Sequence, residues 1–302
     1  MANIRQLDKR RKSVKNIRKI TRTMELIATG RFKKAMDRAA AATDYTKRIT
    51  AIVQDLANSG TEVSHPLLTA HEKIDSIDML VLTANRGLCG GYNGSVVRAA
   101  TARRAEIMQQ IQNGEISVSG KRGISAMRYA GIPIEKTYTE FDDKPSFAAV
   151  ARIADYLIER YITGKIDRVD VAYTKFVSVS KQVAVVETLL PFSSLAVPSA
   201  EKPSGPGATS GTSAGTKDDY EFLPSASAIL EEVVPASFRA RLFKCFLDAA
   251  VSEQIARMVA MKSATENAGD IIKSLSRRYN RARQSKITQE IMEIIGGVEA
   301  LG

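Results

Sequence analysis

The chain has 302 residues, and its 44 lysines and arginines exceed its 33 aspartates and glutamates to give a formal net charge of +11. A basic excess of this size indicates an anionic partner, which could be nucleic acid, a lipid surface or acidic protein loops. Two cysteines without CxxC spacing and two histidines argue against a disulfide framework, leave little for metal binding or acid–base catalysis, and favour a reducing compartment.

The N-terminal segment, residues 1–58, predicts a single long helix. It contains no proline and one interior glycine, Gly30. At 1.5 Å per residue, a helix of this length spans about 80 Å. Globular helices usually run about 8–20 residues, so the length favours a coiled coil. The stripe expected to face the partner helix consists of Ile4, Leu7, Val14, Ile17, Met24, Ile27, Ala28, Ala35, Ala39 and Ala42.

The middle segment, residues 74–192, changes to alternating strand and helix patterns. Residues 76–83 are almost continuously apolar, as expected for a buried strand. Further strands are predicted at 116–119 and 134–139, helices at 93–112, 124–130 and 148–162, and a closing hairpin at 169–177 and 182–190. This alternation predicts a Rossmann-like α/β domain with a mostly parallel sheet and an antiparallel edge.

The last part of the chain contains a low-complexity stretch followed by a second long helix. Residues 199–217 are rich in Gly, Ser, Thr and Pro and predict a flexible surface loop. Residues 225–302 predict a helix that starts or kinks at Pro235. Two long helices with matching stripes are expected to form an antiparallel coiled coil, in which Ala264, Ala268 and Ala282 face Ala28, Ala35 and Ala39.

The two terminal helices carry faces of a single charge sign. Residues 1–34 contain twelve Lys or Arg and two acids, Asp8 and Glu25. Like charges one helical turn apart repel, so such a face favours an anionic partner. A nucleic-acid-binding coiled-coil protein is therefore one alternative, although Phe32 and Tyr279 are the only aromatic residues near these clusters. The second cluster comprises Lys273, Arg277, Arg278, Arg281, Arg283 and Lys286.

A glycine-rich turn, residues 86–94 with the sequence RGLCGGYNG, lies between a predicted strand and a predicted helix. Nucleotide-binding loops occupy that position, so a nucleotide-binding α/β enzyme is a second alternative. The turn lacks both the GK[ST] ending of a P-loop and the G-x-G-x-x-G spacing of a dinucleotide turn. Its simpler interpretation is a tight turn where two backbones approach closely. Cys89 has no histidine at a spacing that indicates a catalytic thiol.

Four stretches of the chain together resemble the γ subunits of F-type ATP synthases. They are residues 12–21 leading to Met24, residues 86–91, residues 261–268 and residues 279–291. The resemblance implies that the two long helices turn inside a ring of three α and three β subunits, while the α/β domain holds the ε subunit and the ring of c subunits. It implies a rotor subunit that couples proton-driven rotation to ATP synthesis, with no active site, cofactor or metal of its own.

The resemblance also implies seven contact residues for the β subunit. Met24 and Arg86 match residues that face an acidic loop of β, while Arg283 and Gln284 match a pair that hydrogen-bonds another loop of β. The turn of the family usually begins with Asp, and Asn85 here weakens any ion-pair role at that position. The remaining members of the matched contact motif are Arg281, Thr288 and Glu290.

Two expectations concern location and regulation. No stretch approaches the roughly 18 consecutive apolar residues of a membrane span. The resemblance places the protein at the cytoplasmic face of the bacterial inner membrane, attached through its complex, with no nucleic-acid partner. Residues 199–217 lie where photosynthetic relatives carry a redox-regulatory segment but contain no cysteine, so we expect no thiol switch.

Overall fold

The computed structural model describes residues 4–58, 65–71, 73–109, 111, 113–141, 144–192 and 226–299. The predicted loop at 199–217 lies outside these residues. The helices of the described part are α1 (Ile4–Asn58), α2 (Tyr92–Met108), α3 (Lys121–Tyr129), α4 (Phe147–Ile162) and α5 (Ala226–Glu299). The strands are β1 (Ser76–Leu82), β2 (Asn113–Ser119), β3 (Lys136–Tyr138), β4 (Arg168–Phe176) and β5 (Gln182–Leu190).

The chain divides into two compact units. The first, here called the helical unit, comprises Met1–Lys34, Arg86–Gly91 and Glu253–Gly302. The second, here called the sheet unit, comprises Ala35–Asn85 and Tyr92–Ser252. The long terminal helices and the mostly parallel sheet confirm the predicted fold class.

The sheet unit is built on five strands in the order β3-β2-β1-β4-β5. The strands β3, β2, β1 and β4 are parallel to their neighbours, and β5 pairs with β4 in the antiparallel direction as the predicted edge hairpin. The central strand β1 is buried from Ile77 to Leu82 because helices cover both faces of a parallel sheet. Its almost continuous apolar run is therefore explained by its position.

Each face of the sheet has its own apolar core. On one face, Val96 and Ala100 of α2 and Met127 of α3 pack against Met79 and Val81 of β1. On the other face, Leu80 and Leu82 pack with residues of α4 and with the first part of α5. The sheet unit is thus a three-layer α/β/α structure, as its alternating sequence pattern predicts.

A buried carboxyl interrupts the apolar character of β1. Asp78 is completely buried and lies 3.1 Å from the Arg160 guanidinium, which also binds Glu115 at 2.6 Å. Ser117 donates a hydrogen bond of 3.3 Å to the same carboxyl. Burial raises the pKa of Asp78 to about 6, and the positive charge of Arg160 limits the rise. The carboxyl therefore titrates well above the ordinary range of aspartate.

The helical unit contains an antiparallel pair formed by the first part of α1 and the last part of α5. The Thr265 hydroxyl lies 2.8 Å from the Thr21 hydroxyl, and a Cβ on Gly269 would lie 3.9 Å from the Arg18 guanidinium. Arg11 stacks over the Tyr279 ring at 4.5 Å. The partners of Thr21, Arg18 and Arg11 are thus residues 265, 269 and 279 of α5. Because the numbers fall on α1 while they rise on α5, the two helices run in opposite directions.

The buried residues of α1 recur mainly at intervals of seven residues, which is the repeat of a coiled-coil seam. Thr21, Ala28, Ala35 and Ile49 are buried at multiples of seven residues. Met261 and Ala268 repeat the interval on α5. The seam is made largely of small side chains, as the stripe of alanines predicted.

Two details of the predicted stripe are wrong. Ile17 and Ile27 are each 49% exposed and so contribute little to the buried seam. The predicted alanine-to-alanine facing is also wrong. Since Thr21 meets Thr265 and Arg18 meets Gly269, Ala264 and Ala268 lie at the level of residues 18–21 rather than opposite Ala28 or Ala35.

The second long helix begins at Ala226, one residue from the predicted boundary at 225 and nine residues before Pro235, so of the start and the kink predicted at that proline the start is wrong. A proline inside a helix costs roughly 3 kcal/mol because it removes one hydrogen bond. Here Leu230, Val234, Phe238 and Leu242, spaced four residues apart, are buried in the core of the sheet unit. Burying each such side chain contributes about 1.5–3 kcal/mol. Packing therefore outweighs the proline and extends the helix.

Candidate functional site

All seven predicted contact residues belong to the helical unit. Met24 is half-buried beside the seam, whereas the other six are exposed. They do not form one compact site. They fall into two groups at different levels of α5. The six exposed residues, taken over both groups, are Arg86, Arg281, Arg283, Gln284, Thr288 and Glu290.

The first group is the glycine-rich turn together with Met24. A Cβ on Gly90 would lie 3.8 Å from the Cβ of Ala260, so the turn packs on α5 at residue 260. Met24 follows Thr21 by one helical turn, and Thr21 meets Thr265. The antiparallel pairing therefore brings Met24 beside the same stretch of α5. This grouping joins two residues that are 62 positions apart in the sequence.

The conformation of the turn explains its glycines by packing. Gly90 has a φ of +55°, a left-handed backbone that glycine adopts at little cost. The Cys89 side chain is 1% exposed, and Leu88 is turned outward with 58% exposure. These features match the interpretation as a tight turn between closely spaced backbones. They offer nothing that supports the interpretation as a phosphate-binding loop.

Asn85, the residue before the turn, has a structural role within the sheet unit. Its amide nitrogen donates to the Thr139 carbonyl at 3.0 Å and to the Phe141 carbonyl at 2.9 Å. Its amide oxygen accepts from the Lys121 backbone N–H at 3.0 Å. An ionised aspartate could accept the last bond but could not donate the other two. The amide at this position therefore fits the hydrogen bonds that surround it.

The second group consists of the predicted contact residues from Arg281 to Glu290. It lies about 30 Å further along α5, since 21 residues at 1.5 Å separate residue 260 from Arg281. Here Arg281 lines a cleft of 990 Å³ between α5 and the first turns of α1. Arg283, Gln284 and Thr288 are exposed on the same stretch of helix. Glu290 is also exposed and pairs with Lys286 at 3.4 Å.

The basic charge of the protein is concentrated on α1. Twelve cations against two acids give residues 1–34 a net charge of +10, out of +11 for the chain. Both acids pair within α1: Asp8 with Arg11 and Lys12, and Glu25 with Arg22. The hydrogen bond from Lys12 lowers the pKa of Asp8. This helix therefore presents a strongly positive surface.

The end of α5 exposes apolar side chains. Exposed apolar groups that lie together on a soluble surface usually mark a contact with another molecule. These side chains lie at the same end of the helix as the second group of predicted residues. They are Ile287, Ile291, Met292, Ile294, Ile295 and Val298, which are 46–69% exposed.

Thr21, which helps to shape this surface, was not placed on the stripe predicted for the first helix. Thr21 and Thr265 fix the level of the first group, and Arg11 with Tyr279 fixes that of the second. The exact seven-residue spacing of Leu7, Val14, Thr21 and Ala28 was the available signal. A polar residue at a seam position is easily passed over when only apolar residues are counted.

The described part of the chain contains no group of three or more His, Cys, Asp or Glu side chains placed to hold a metal ion. None of its helices combines the length and apolar character needed to cross a membrane.

The paired helices and the mostly parallel sheet define the fold of rotary central stalks. A chain in the solved mitochondrial ATP synthase of Euglena gracilis, a structure of OSCP, F1 and c-ring, has a TM-score of 0.64 and 18% identity, covering 99% of this chain and 94% of that one. A chain in the central stalk and c-ring structure from Tetrahymena thermophila has a TM-score of 0.59 and 19% identity, covering 81% and 99%. These likenesses show the fold.

The sequence comparisons show the family. A family model described as ATP synthase matches residues 3–301. The ATP synthase gamma chain of Rhodopirellula baltica is 61% identical over 301 residues, covering 100% of this chain and 99% of that relative. Those of Saccharopolyspora erythraea and Leptospira biflexa are each 38% identical, covering 100% of this chain and 98% and 100% of the relatives. The chain belongs to the ATP synthase gamma-chain family, as a non-catalytic subunit of the complex.

Proposed function

We propose that this chain is the rotor of a proton-translocating F-type ATP synthase in a bacterium. In this role it transmits rotation of the c ring to the three catalytic β subunits and so couples hydrogen-ion transport to ATP synthesis. The observation that carries the proposal is the antiparallel pairing of α1 with α5, together with the net charge of +10 on residues 1–34 of the chain. A rod of this kind can turn inside a ring of acidic loops.

The helix pair acts through its stiffness and its asymmetry. The seam locks α1 against α5, so a turning force on one helix is carried by both. Individual exposed ion pairs contribute about 0–1 kcal/mol each. No single pair can therefore carry the free energy of ATP synthesis, and the force is spread along the surface. The catalytic sites of β change conformation because the surface they meet differs from one direction to the next.

The proposed contacts with β lie at two levels. Met24 and Arg86 meet an acidic loop of β at the level of Ala260. A second β loop meets the later part of α5, where the exposed apolar side chains of its last turns also contact the surrounding ring. The residues proposed for this second level are Arg281, Arg283, Gln284, Thr288 and Glu290.

The proposed partners are the α3β3 ring, the ε subunit and the c-subunit ring. We assign the helices in residues 1–58 and 225–302 to the α3β3 ring. The α/β domain, residues 74–192, is assigned to the ε subunit and the c ring, and residues 199–217 to a surface loop. The protein is then a peripheral component at the cytoplasmic face of the inner membrane, with no cofactor of its own. A nucleic-acid partner and a nucleotide-binding active site have no support.

Co-purification tests the proposal. An affinity tag is placed on this chain in its native host, and the proteins that elute with it are identified by mass spectrometry. We expect α and β in threefold excess over this chain, together with ε and the c subunit. Recovery of the chain without α and β, or bound to nucleic acid, would contradict the assignment.

A further inference from the structure

Two buried hydrogen bonds hold the last turn of α5 that belongs to the sheet unit. The hydroxyl of Tyr92, the first residue of α2, donates to the Ala249 carbonyl at 3.1 Å. The Ser252 hydroxyl donates to the Thr174 carbonyl of β4 at 3.2 Å. Along α5 the sheet unit ends at Ser252. Both bonds therefore lie within one turn of the point where the helix leaves that unit.

Water has little access to these two bonds. The four residues that form them, Tyr92, Thr174, Ala249 and Ser252, are all buried. A hydrogen bond is electrostatically stronger in such an interior than in water, and water does not replace it when it breaks. A rotation of α5 about its own axis would pull the Ser252 hydroxyl and the Ala249 carbonyl away from their partners. Both bonds therefore oppose that rotation.

The two bonds connect α5 to different elements of the sheet unit. Ala249 and Ser252 are three residues apart, so they lie on the same side of the helix. Their partners belong to α2 and to β4, respectively. Thr174 lies beyond Ala172, the last residue of β4 that pairs with β1. One bond alone would act as a pivot, whereas two bonds to separate elements fix the angle of α5 about its axis.

The other contacts of this part of α5 hold the helix in place but fix its angle less directly. Phe238, Leu242 and Phe246 belong to the apolar core of the sheet unit. Apolar attraction is non-directional, whereas a hydrogen bond weakens steeply as its angle changes. Arg239 pairs with Asp155 of α4 at 2.6 Å, but this ion pair is partly exposed and is screened by salt. The buried hydroxyls are therefore the contacts most sensitive to rotation of α5.

We propose that Tyr92 and Ser252 are positioning residues that lock the angle of α5 within the sheet unit, so that rotation of this unit passes into α5 without slack. The inference rests on the proposed rotor function, in which the sheet unit receives the turning force from the c ring. It also gives a task to the glycine-rich turn, residues 86–94, because Tyr92 lies within that turn. Without the two bonds, the sheet unit would turn through a larger angle before α5 follows it.

The test measures the stiffness of the rotor in the assembled complex. Complexes are immobilised through β, and a bead is attached to the sheet unit at Tyr129→Cys, a position that is 96% exposed. The angular variance of the bead is recorded without ATP, and ATP is then added to verify rotation. The variant Tyr92→Phe/Ser252→Ala deletes both hydroxyls and leaves the rest of each side chain in place.

The matched control, Tyr161→Phe/Ser237→Ala, deletes the same atoms elsewhere in the sheet unit. The Tyr161 hydroxyl donates to the Thr69 carbonyl at 2.9 Å, so its removal breaks a bond that does not involve α5. Ser237 is buried on α5, and its hydroxyl has no hydrogen-bond partner among the described residues. Urea unfolding of each chain gives the loss of stability, which is compared separately from the angular variance.

We expect at least a twofold larger angular variance in Tyr92→Phe/Ser252→Ala and less than a 1.5-fold change in the control. An unchanged variance, or equal widening in both variants, would overturn the proposal while leaving the rotor function standing. A parent complex that does not turn when ATP is added would contradict the rotor function itself. If the double variant does not assemble, Tyr92→Phe is compared with Tyr161→Phe and Ser252→Ala with Ser237→Ala, and the first of each pair should show the larger variance.

Discussion

The Thr265 hydroxyl of α5 donates to the Thr21 hydroxyl of α1 across 2.8 Å, and Thr21 in turn donates to the Arg18 carbonyl at 3.1 Å. Both threonines occupy seam positions between small and apolar residues. Polar groups at a seam have their best-attested role in fixing the register of a coiled coil. Each hydroxyl also has a backbone carbonyl acceptor within its own helix, Arg18 for Thr21 and Met261 for Thr265, so a shift in register would lose only the bond between the two threonines. We infer that this pair sets which residues of α1 and α5 lie opposite each other.

Cysteines at these two positions should form a disulfide. In a chain with Cys89→Ala and Cys245→Ala, we expect Thr21→Cys/Thr265→Cys to cross-link rapidly under mild oxidation, because hydroxyls 2.8 Å apart imply Cβ atoms close to the distance that a disulfide requires. Mass spectrometry of tryptic peptides identifies the bridge. The control Thr21→Cys/Ile272→Cys moves one partner seven residues, about 10 Å along the helix. Cross-linking of the control pair at the same rate would refute the register.

A lysine at Met24 should uncouple the complex. Met24 is half-buried beside the seam and is proposed to meet an acidic loop of β, so a new cation there would bind that loop and disturb the transfer of torque between β and this chain. We expect Met24→Lys to lower ATP-driven proton pumping in inverted vesicles several-fold while ATP hydrolysis stays within about twofold.

The matched control for Met24 is Leu26→Lys. Leu26 is 58% exposed on the same helix, two residues away, and the control should change pumping by less than twofold. If Met24→Lys instead prevents assembly, Met24 is a packing residue of the helix pair. An equal loss of pumping in both variants would attribute the effect to added charge anywhere on α1.

The sequence predicted the elements well and their relationships less well. Lengths, periods and the order of strands follow from local pattern, so the helices, the parallel sheet and the edge hairpin were all predicted. The level along α5 that Met24 shares with the glycine-rich turn depends on the pairing of residues 244 positions apart, Thr21 and Thr265. Local pattern carries no information on such a pairing. Local pattern placed the boundary near residue 225 but left open a helix start at Pro235, which the structure does not show because the core packing of Leu230 and Val234 outweighs the local effect of the proline.

Stability should depend on pH through Asp78. Because its pKa in the folded protein is about 6, above the ordinary 3.8, the folded state binds the proton more tightly than the unfolded state. The stability it contributes is present below about pH 3.8 and is lost as pH rises through about 6, a change of about 3 kcal/mol. The urea concentration at the midpoint of unfolding should therefore fall between pH 4 and pH 7 in the wild type. We expect this fall to be smaller in Asp78→Asn. The exposed Asp270→Asn should leave that pH profile as in the wild type, and an unchanged profile in Asp78→Asn would contradict the account.

The two cysteines should be unreactive in the folded protein. Cys89 is 1% exposed and Cys245 is 4% exposed, and burial raises the pKa of Cys245 to about 12, so its reactive thiolate is scarce at pH 8. We expect no fast reaction with Ellman's reagent in buffer and two reacting thiols in denaturant. A fast-reacting thiol in the native chain, or a change of ATPase activity between oxidant and reductant, would argue for a thiol switch.

Rotation of this chain within its own complex tests the central claim most directly. Tyr129 is 96% exposed on α3 of the sheet unit, so Tyr129→Cys offers a labelling site that the two buried native cysteines do not compete with. A bead attached there, on complexes immobilised through β, should turn in one direction in three steps per revolution when ATP is added. ATP hydrolysis at the normal rate with a stationary bead would contradict the assignment of this chain as the rotor.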